Sequence, residues 1–236
     1  MEQNGKGILI VVEGLDGSGK ETQTSILYER LLKEGLKVKK IEFPRYDSQS
    51  SALIKMYLSG EFGEKAEDVS PYVASTFYAV DRYASYKQEW ENFHEKGGVI
   101  IADRYTTSNM IHQAGKIKDV GERQEFLDWL WDLEFYKYKL PQPDVVFFLD
   151  VGIKNNQKLM EGRTNKFSGQ SAKDIHEKDI RHLQESYVNA LDLADRYNWH
   201  RIDCVKGNQL RTIEDINAEV FAAAHKKIFG TLNEVK

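Results

Sequence analysis

Residues 8–20 read ILIVVEGLDGSGK, an apolar run followed at once by a glycine-rich turn that ends on lysine. Ile8–Val12 has the unbroken apolar character of a strand covered on both faces. Gly14-Leu15-Asp16-Gly17-Ser18-Gly19-Lys20 then opens a segment with helical spacing, and strand, loop and helix in that order are the setting in which a phosphate-binding loop is recognised. Small residues let successive backbone N–H groups turn toward a phosphate, the helix N-terminus adds a favourable dipole, and Lys20 supplies a mobile cation. A glycine-rich connection with no ligand is the alternative; spacing, placement and lysine together favour a nucleotide site. Such loops ordinarily place Ser or Thr, a Mg2+ ligand, directly after the lysine. Here Glu21 comes first and Thr22 second, and Glu21 also suits a helix first turn as a solvated acid.

Outward from this loop, further apolar runs at Val38–Phe43, Val99–Ile101, Val145–Leu149 and His200–Ile202 read as strands. Between and after them Glu21–Lys33, Tyr72–His94, Glu122–Tyr138, Ala172–Tyr197 and Ile213–Ile228 carry helical spacing without proline. Alternation of this kind predicts an α/β fold of three layers, a parallel five-stranded sheet between helices, of the P-loop NTPase type. The chain is 236 residues long and 41% hydrophobic, which suits one domain with a full core over residues 1–236. Gly162–Lys173, rich in Gly, Ser, Asn and Lys, is the expected mobile segment.

A net charge of −4 supplies no global attraction to nucleic acid or to an anionic membrane, so anionic substrates must be held locally. Cys204 is the only cysteine, which excludes an intramolecular disulfide and a multi-cysteine zinc site and suits a buried, inert thiol in a reducing compartment. No apolar stretch approaches the roughly 20 residues that cross a bilayer, and Met1–Gly7 lacks the apolar core of a signal peptide. A cytoplasmic location is expected.

A phosphate loop leaves the acceptor open, and three further clusters narrow it. Phe43-Pro44-Arg45-Tyr46 closes the second strand, Phe77-Tyr78-Ala79-Val80-Asp81-Arg82 lies on a helix, and Asp103-Arg104-Tyr105 with Thr107-Ser108-Asn109 comes after the third strand. Arginines for phosphate, an aromatic face and an amide for base edges are what a nucleoside monophosphate requires. Tyr78 and Arg82, four apart, share a helix face on which a ring could stack on a base beside a guanidinium. The alternative is an amphipathic helix whose tyrosine packs in the core and whose arginine pairs with a carboxylate.

With the segments GLDGSGKETQ, FPRY, FYAVDR, DRYTTSN and DIHEKD in this order, the chain resembles the thymidylate kinases over nearly its whole length. The resemblance implies transfer of the ATP γ-phosphoryl group to dTMP with Mg2+. It implies that Tyr78 stacks on thymine, that Arg82 and Asn109 bond its edges, and that Phe43 walls the pocket. Arg104, Arg45 and Tyr46 would surround the dTMP phosphate, and Asp16 would stand between sugar and metal. His112 occupies a position where many family members carry a tyrosine near C2′ of the sugar, which puts deoxyribose selectivity in question. The family takes a second catalytic cation from the phosphate loop or from a lid. Gly17 stands at the loop position, so the expected lid, 161–173, points to Arg163, with Lys166 second. Glu177, with Asp174, would join Asp16 around the metal. Homodimerisation through flanking helices is a further implication. A related kinase with another acceptor, or a nucleotide-binding regulator without transfer activity, are the competing readings.

Overall fold

The computed structural model describes residues 6–160 and 180–234. Five strands, β1 (Ile8–Glu13), β2 (Val38–Glu42), β3 (Val99–Asp103), β4 (Val145–Asp150) and β5 (His200–Asp203), form a parallel sheet in the order β2-β3-β1-β4-β5. Each expected strand is present. In β1 all six residues are buried, because helices cover both faces. Leu9 and Val11 pack into one core with Ile100, Phe148, Trp90 and Phe126, and Ile8, Ile10 and Val12 pack into the other with Leu27, Phe147 and Val220.

Helices α1 (Lys20–Lys33), α2 (Ala52–Leu58), α3 (Pro71–Ser85), α4 (Glu91–Glu95), α5 (Thr106–His112), α6 (Val120–Trp131), α7 (Gly152–Met160), α8 (Ile180–Arg196) and α9 (Ile213–Glu234) fill the connections. A small antiparallel hairpin, β6 (Val205–Lys206) with β7 (Gln209–Leu210), comes after the sheet. Pro71 sits in the first turn of α3 behind Ser70, whose Oγ accepts from Val73 N, a start that local chemistry dictates.

Two long helices expected from the sequence are each interrupted. Tyr72–His94 contains a π turn over Tyr86–Trp90 between α3 and α4, and α6 runs into another over Asp132–Lys137. A π turn widens the helix by one residue and rotates the next turns about the helix axis. The first buries both Tyr86 and Trp90; the second buries the adjacent pair Glu134 and Phe135. Ala172–Tyr197 is described from Ile180 onward, as α8. Cys204 is buried as expected, and burial pushes its thiol up to about 12. Among the described residues, no helix is long and apolar enough to cross a membrane.

Registers align the carboxyl ends of the central strands: Val12 pairs with Asp103 and Asp103 with Glu42. Chain leaving β1, β2 and β3 therefore emerges at one edge. The opposite layer is tied by a polar clasp between α1 and α9. Buried Asn217 accepts from Arg30 Nη1 (2.9 Å) and donates to Gln23 Oε1 (3.0 Å), while the Arg30 guanidinium lies 3.6 Å from the Phe221 ring centre. Asn217→Ala should cost about 1–3 kcal/mol, because it leaves buried partners unpaired. Urea unfolding should show a lower midpoint with an unchanged slope.

Candidate active site

Gly14, Gly17 and Gly19 have φ of 152°, 82° and 86°. Left-handed backbone of this kind lets the chain turn back after β1 and deliver Gly19 as the N-cap of α1. A side chain at Gly14 would meet Ser18 Oγ at 2.5 Å, and one at Gly17 would meet Met160 Cγ at 2.9 Å. Lys20 is buried, and its Nζ donates to the loop's own carbonyls, Gly14 O (2.9 Å) and Leu15 O (2.8 Å). Burial lowers the amine to about 8, Arg104 adds to that effect, and Asp16, Asp103 and Glu13 oppose it. Asn156 of α7 donates to Asp16 O and props the loop from behind. Glu21 and Thr22 lie exposed on the first turn of α1.

Across the edge, Arg104 comes directly after β3 with a left-handed φ of 68°. Its Nη2 forms an ion pair with Asp16, and its Nη1 reaches Ser108 Oγ (3.3 Å) and His112 Nε2 (3.4 Å). Burial works against the Arg104 charge, but Asp16, Glu13 and Asp103 outweigh it and hold its pKa above the ordinary value. His112 is held neutral, its pKa well below the usual range, by burial and then by Arg104. In the neutral imidazole Nε2 accepts from the guanidinium, which only donates, and the ring proton is then on Nδ1.

Behind this loop stands Glu13, a carboxylate at the end of β1 with no solvent exposure. It accepts from Tyr105 N (3.2 Å), Thr107 Oγ1 (2.7 Å) and Ser108 Oγ (2.9 Å). Burial raises its pKa, against the pull of Arg104 and these hydroxyls. Polar Thr107 and Ser108 are buried for this reason, in α5, a helix that was not among those expected from the sequence.

Arg45 leaves the cis Phe43–Pro44 bond and is enclosed by acids: its Nε lies 3.6 Å from Asp81 Oδ1, its Nη1 pairs with Glu89, and its Nη2 donates to Ser48 Oγ (2.7 Å). Phe43 is buried, with its ring centre 6.0 Å from that of Tyr105, and Tyr46 and Tyr78 are half-buried beside the small apolar cluster of Ile54, Tyr57 and Leu58. Arg82 is buried and does pair with a carboxylate, Glu134, while its Nη2 also donates to Asn109 Oδ1 (3.2 Å). The structure thus brings Asp16, Lys20, Arg104, Ser108 and His112 into one connected cluster, and Arg82 and Asn109 into another. Arg163, Lys166, Asp174, Glu177 and all of 161–173 lie outside the described residues. Among the described residues no three His, Cys, Asp or Glu side chains gather to enclose a metal. Sequence reasoning missed Glu13 and Glu134. An acid closing the otherwise apolar ILIVVE, and one flanked by Leu133 and Phe135, were the available signals.

A phosphate loop at the carboxyl edge of a 2-3-1-4-5 parallel sheet, facing an arginine that follows the neighbouring strand, defines a P-loop phosphotransferase fold. The family model for thymidylate kinase matches residues 12–215. The thymidylate kinase of Mycobacterium tuberculosis is 30% identical over 188 residues, spanning 79% of this chain and 86% of that protein. That of Schizosaccharomyces pombe is 26% identical over 93% of this chain and 92% of its own. The solved thymidylate kinase structure from Candida albicans superposes with a TM-score of 0.68 at 24% identity, covering 94% of each chain. The chain belongs to the thymidylate kinase family.

Lys20 yields a titration test. Above pH 8 the resting amine is largely neutral, and a bound triphosphate draws its proton back, so nucleotide binding should take up a proton there and scarcely any at neutral pH. Calorimetry at about pH 8.5 in two buffers of different ionisation enthalpy measures this uptake, which Lys20→Met should abolish.

Proposed function

We propose that this enzyme phosphorylates dTMP to dTDP with ATP and Mg2+, a step toward dTTP. The Arg104–Asp16 ion pair carries the reading, because it joins the acceptor-side arginine directly to the donor's phosphate loop. Two phosphates bound on either side of that contact lie close enough for direct transfer.

The loop N–H groups and Lys20 hold the β and γ phosphates of ATP. Arg104, Arg45 and Tyr46 hold the phosphate of dTMP, with Phe43 and Tyr78 beside the base and His112 beside the sugar. A phosphate oxygen of dTMP attacks the γ phosphorus, the bond to the β-bridging oxygen breaks, and ADP leaves. A phosphate monoester is largely dianionic at pH 7, so its attacking oxygen requires no general base. Positioning and charge neutralisation by Lys20 and Arg104 supply the catalysis.

Asp16 is the described carboxylate suited to Mg2+, which takes one or two protein acids together with phosphate oxygens and water rather than a closed protein cage. When bound, the metal would neutralise charge on the transferring phosphoryl group. Glu177, with Asp174, is the second acid in this reading. The second cation is assigned to Arg163, with Lys166 behind it, on a lid over 161–173, because the loop position is Gly17 and a side chain there would run into Met160. The chain works as one catalytic domain with that lid. We also propose a homodimer: Val73, Val80 and Tyr83 share one face of α3 and are each more than 40% exposed.

Release of ADP from ATP and Mg2+, measured with dTMP, dUMP, UMP, dCMP, dGMP and AMP separately, should show strong preference for dTMP. Binding of ATP without acceptor-dependent release would identify a regulator instead. Arg163→Ala should lower kcat at least tenfold, roughly the share of one transition-state cation, with little change in dTMP affinity. Near-normal turnover would remove Arg163 from the mechanism.

A further inference from the structure

Glu134 has no solvent exposure and sits in the π turn that ends α6. Its two oxygens face the side of Arg82: Oε2 accepts from Arg82 Nε (2.7 Å) and Oε1 from Nη2 (2.5 Å). Thr106 Oγ1 donates to Oε2 as well (2.7 Å), which ties the carboxylate to α5. A two-pronged pair of this kind fixes the guanidinium plane as well as its charge.

That plane sets where the other donors of Arg82 point. Nη2 spends its second hydrogen on Asn109 Oδ1 (3.2 Å), and Nη1 donates one to Tyr105 O (3.4 Å). A guanidinium has five N–H bonds, so one on Nη1 is left over. Because arginine only donates, it dictates which end of the Asn109 amide faces it: Oδ1 accepts from it with one of its two lone pairs, and Nδ2, buried, has no protein partner among the described residues. Arg82 thus has one N–H to offer a ligand, and Asn109 keeps one lone pair on Oδ1 beside the N–H bonds of Nδ2.

We propose that Glu134 is the positioning residue for base recognition, locking the plane of Arg82 and, through it, the orientation of the Asn109 amide. An arginine N–H fixed beside an amide oxygen matches a 4-oxopyrimidine, which presents O4 and N3–H, and rejects a 4-aminopyrimidine, which presents N4–H and a bare N3. A carbonyl oxygen takes such a donor, whereas an exocyclic amino group presents hydrogen to hydrogen and leaves buried groups unpaired. The inference rests on reading this site as the dTMP site.

Glu134→Gln keeps the shape but sets an amide N–H against the guanidinium or withdraws one acceptor, so Arg82 turns and the Asn109 amide is released to flip and present Nδ2 to the base. Affinities for dTMP, dUMP and dCMP, measured by titration calorimetry beside that for ATP, test this without requiring turnover. In Glu134→Gln, dTMP and dUMP should weaken together by about tenfold or more, the size of one charge-assisted hydrogen bond. dCMP should not weaken, and ATP affinity should stay unchanged as the sign of an intact fold. Thr106→Val, which keeps both charges and removes one hydrogen bond to Glu134, should shift the dTMP-to-dCMP ratio in the same direction by about threefold. A wild-type ratio in both variants, or equal weakening of dTMP and dCMP, would overturn the role of Glu134. Failure of the unaltered enzyme to bind dTMP would instead overturn the acceptor reading, and the inference with it.

Discussion

A single acid, Glu13, stands at the sheet edge where water is excluded, and the acceptor half of the site hangs from it. Burial alone would leave such a group neutral or unstable. It persists there because Tyr105 N, Thr107 and Ser108 bond it and because Arg104 and Lys20 lie within electrostatic reach. Those bonds draw the polar start of α5 inward. Once α5 is seated, Ser108 and His112 are beside Arg104, and Asn109 is beside Arg82.

Each of the three arginines in the expected substrate site already has an acidic partner: Arg104 has Asp16, Arg45 has Asp81 and Glu89, and Arg82 has Glu134. These pairs differ in burial, and that difference separates their roles. Glu89 is exposed and Asp16 is partly so, which makes them partners that an incoming phosphate can replace at small cost, while buried Asp81 stays bonded to Arg45 N and Ser50 when the guanidinium moves. Glu134 is sealed, and a guanidinium cannot leave it without stranding a charge. Phosphate-facing arginines are thus restrained, while the base-facing one is fixed.

The strands were legible because an apolar run is written directly in residue type, and the phosphate loop because its glycines and lysine have a fixed spacing. α5 was not legible as a helix. Thr106–Asn109 is polar and carries no apolar stripe, and the buried acids that accept from its hydroxyls draw it inward. The π turns were hidden for another reason: over Tyr72–His94 and Glu122–Tyr138 an added residue shifts the apolar stripe by an amount that ordinary 3.6-residue spacing absorbs. Arg82 shows where pattern reading ends. Ligand-facing arginine and carboxylate-paired arginine looked like rival readings, and the structure shows the pairing in a residue that keeps one N–H to offer.

The π turn over Asp132–Lys137 also bears on how this sequence can change. Removing one residue there would restore regular helical hydrogen bonding and improve the helix by every local measure. It would also swing the residues on one side of the cut by about 100° about the helix axis, since 3.6 residues complete a turn. Glu134 and Phe135 could then no longer both point inward. Chain length between α6 and β4 is therefore held by chemistry at the far side of the site, and insertions and deletions should be tolerated poorly in this helical stretch despite its distance from the phosphate loop.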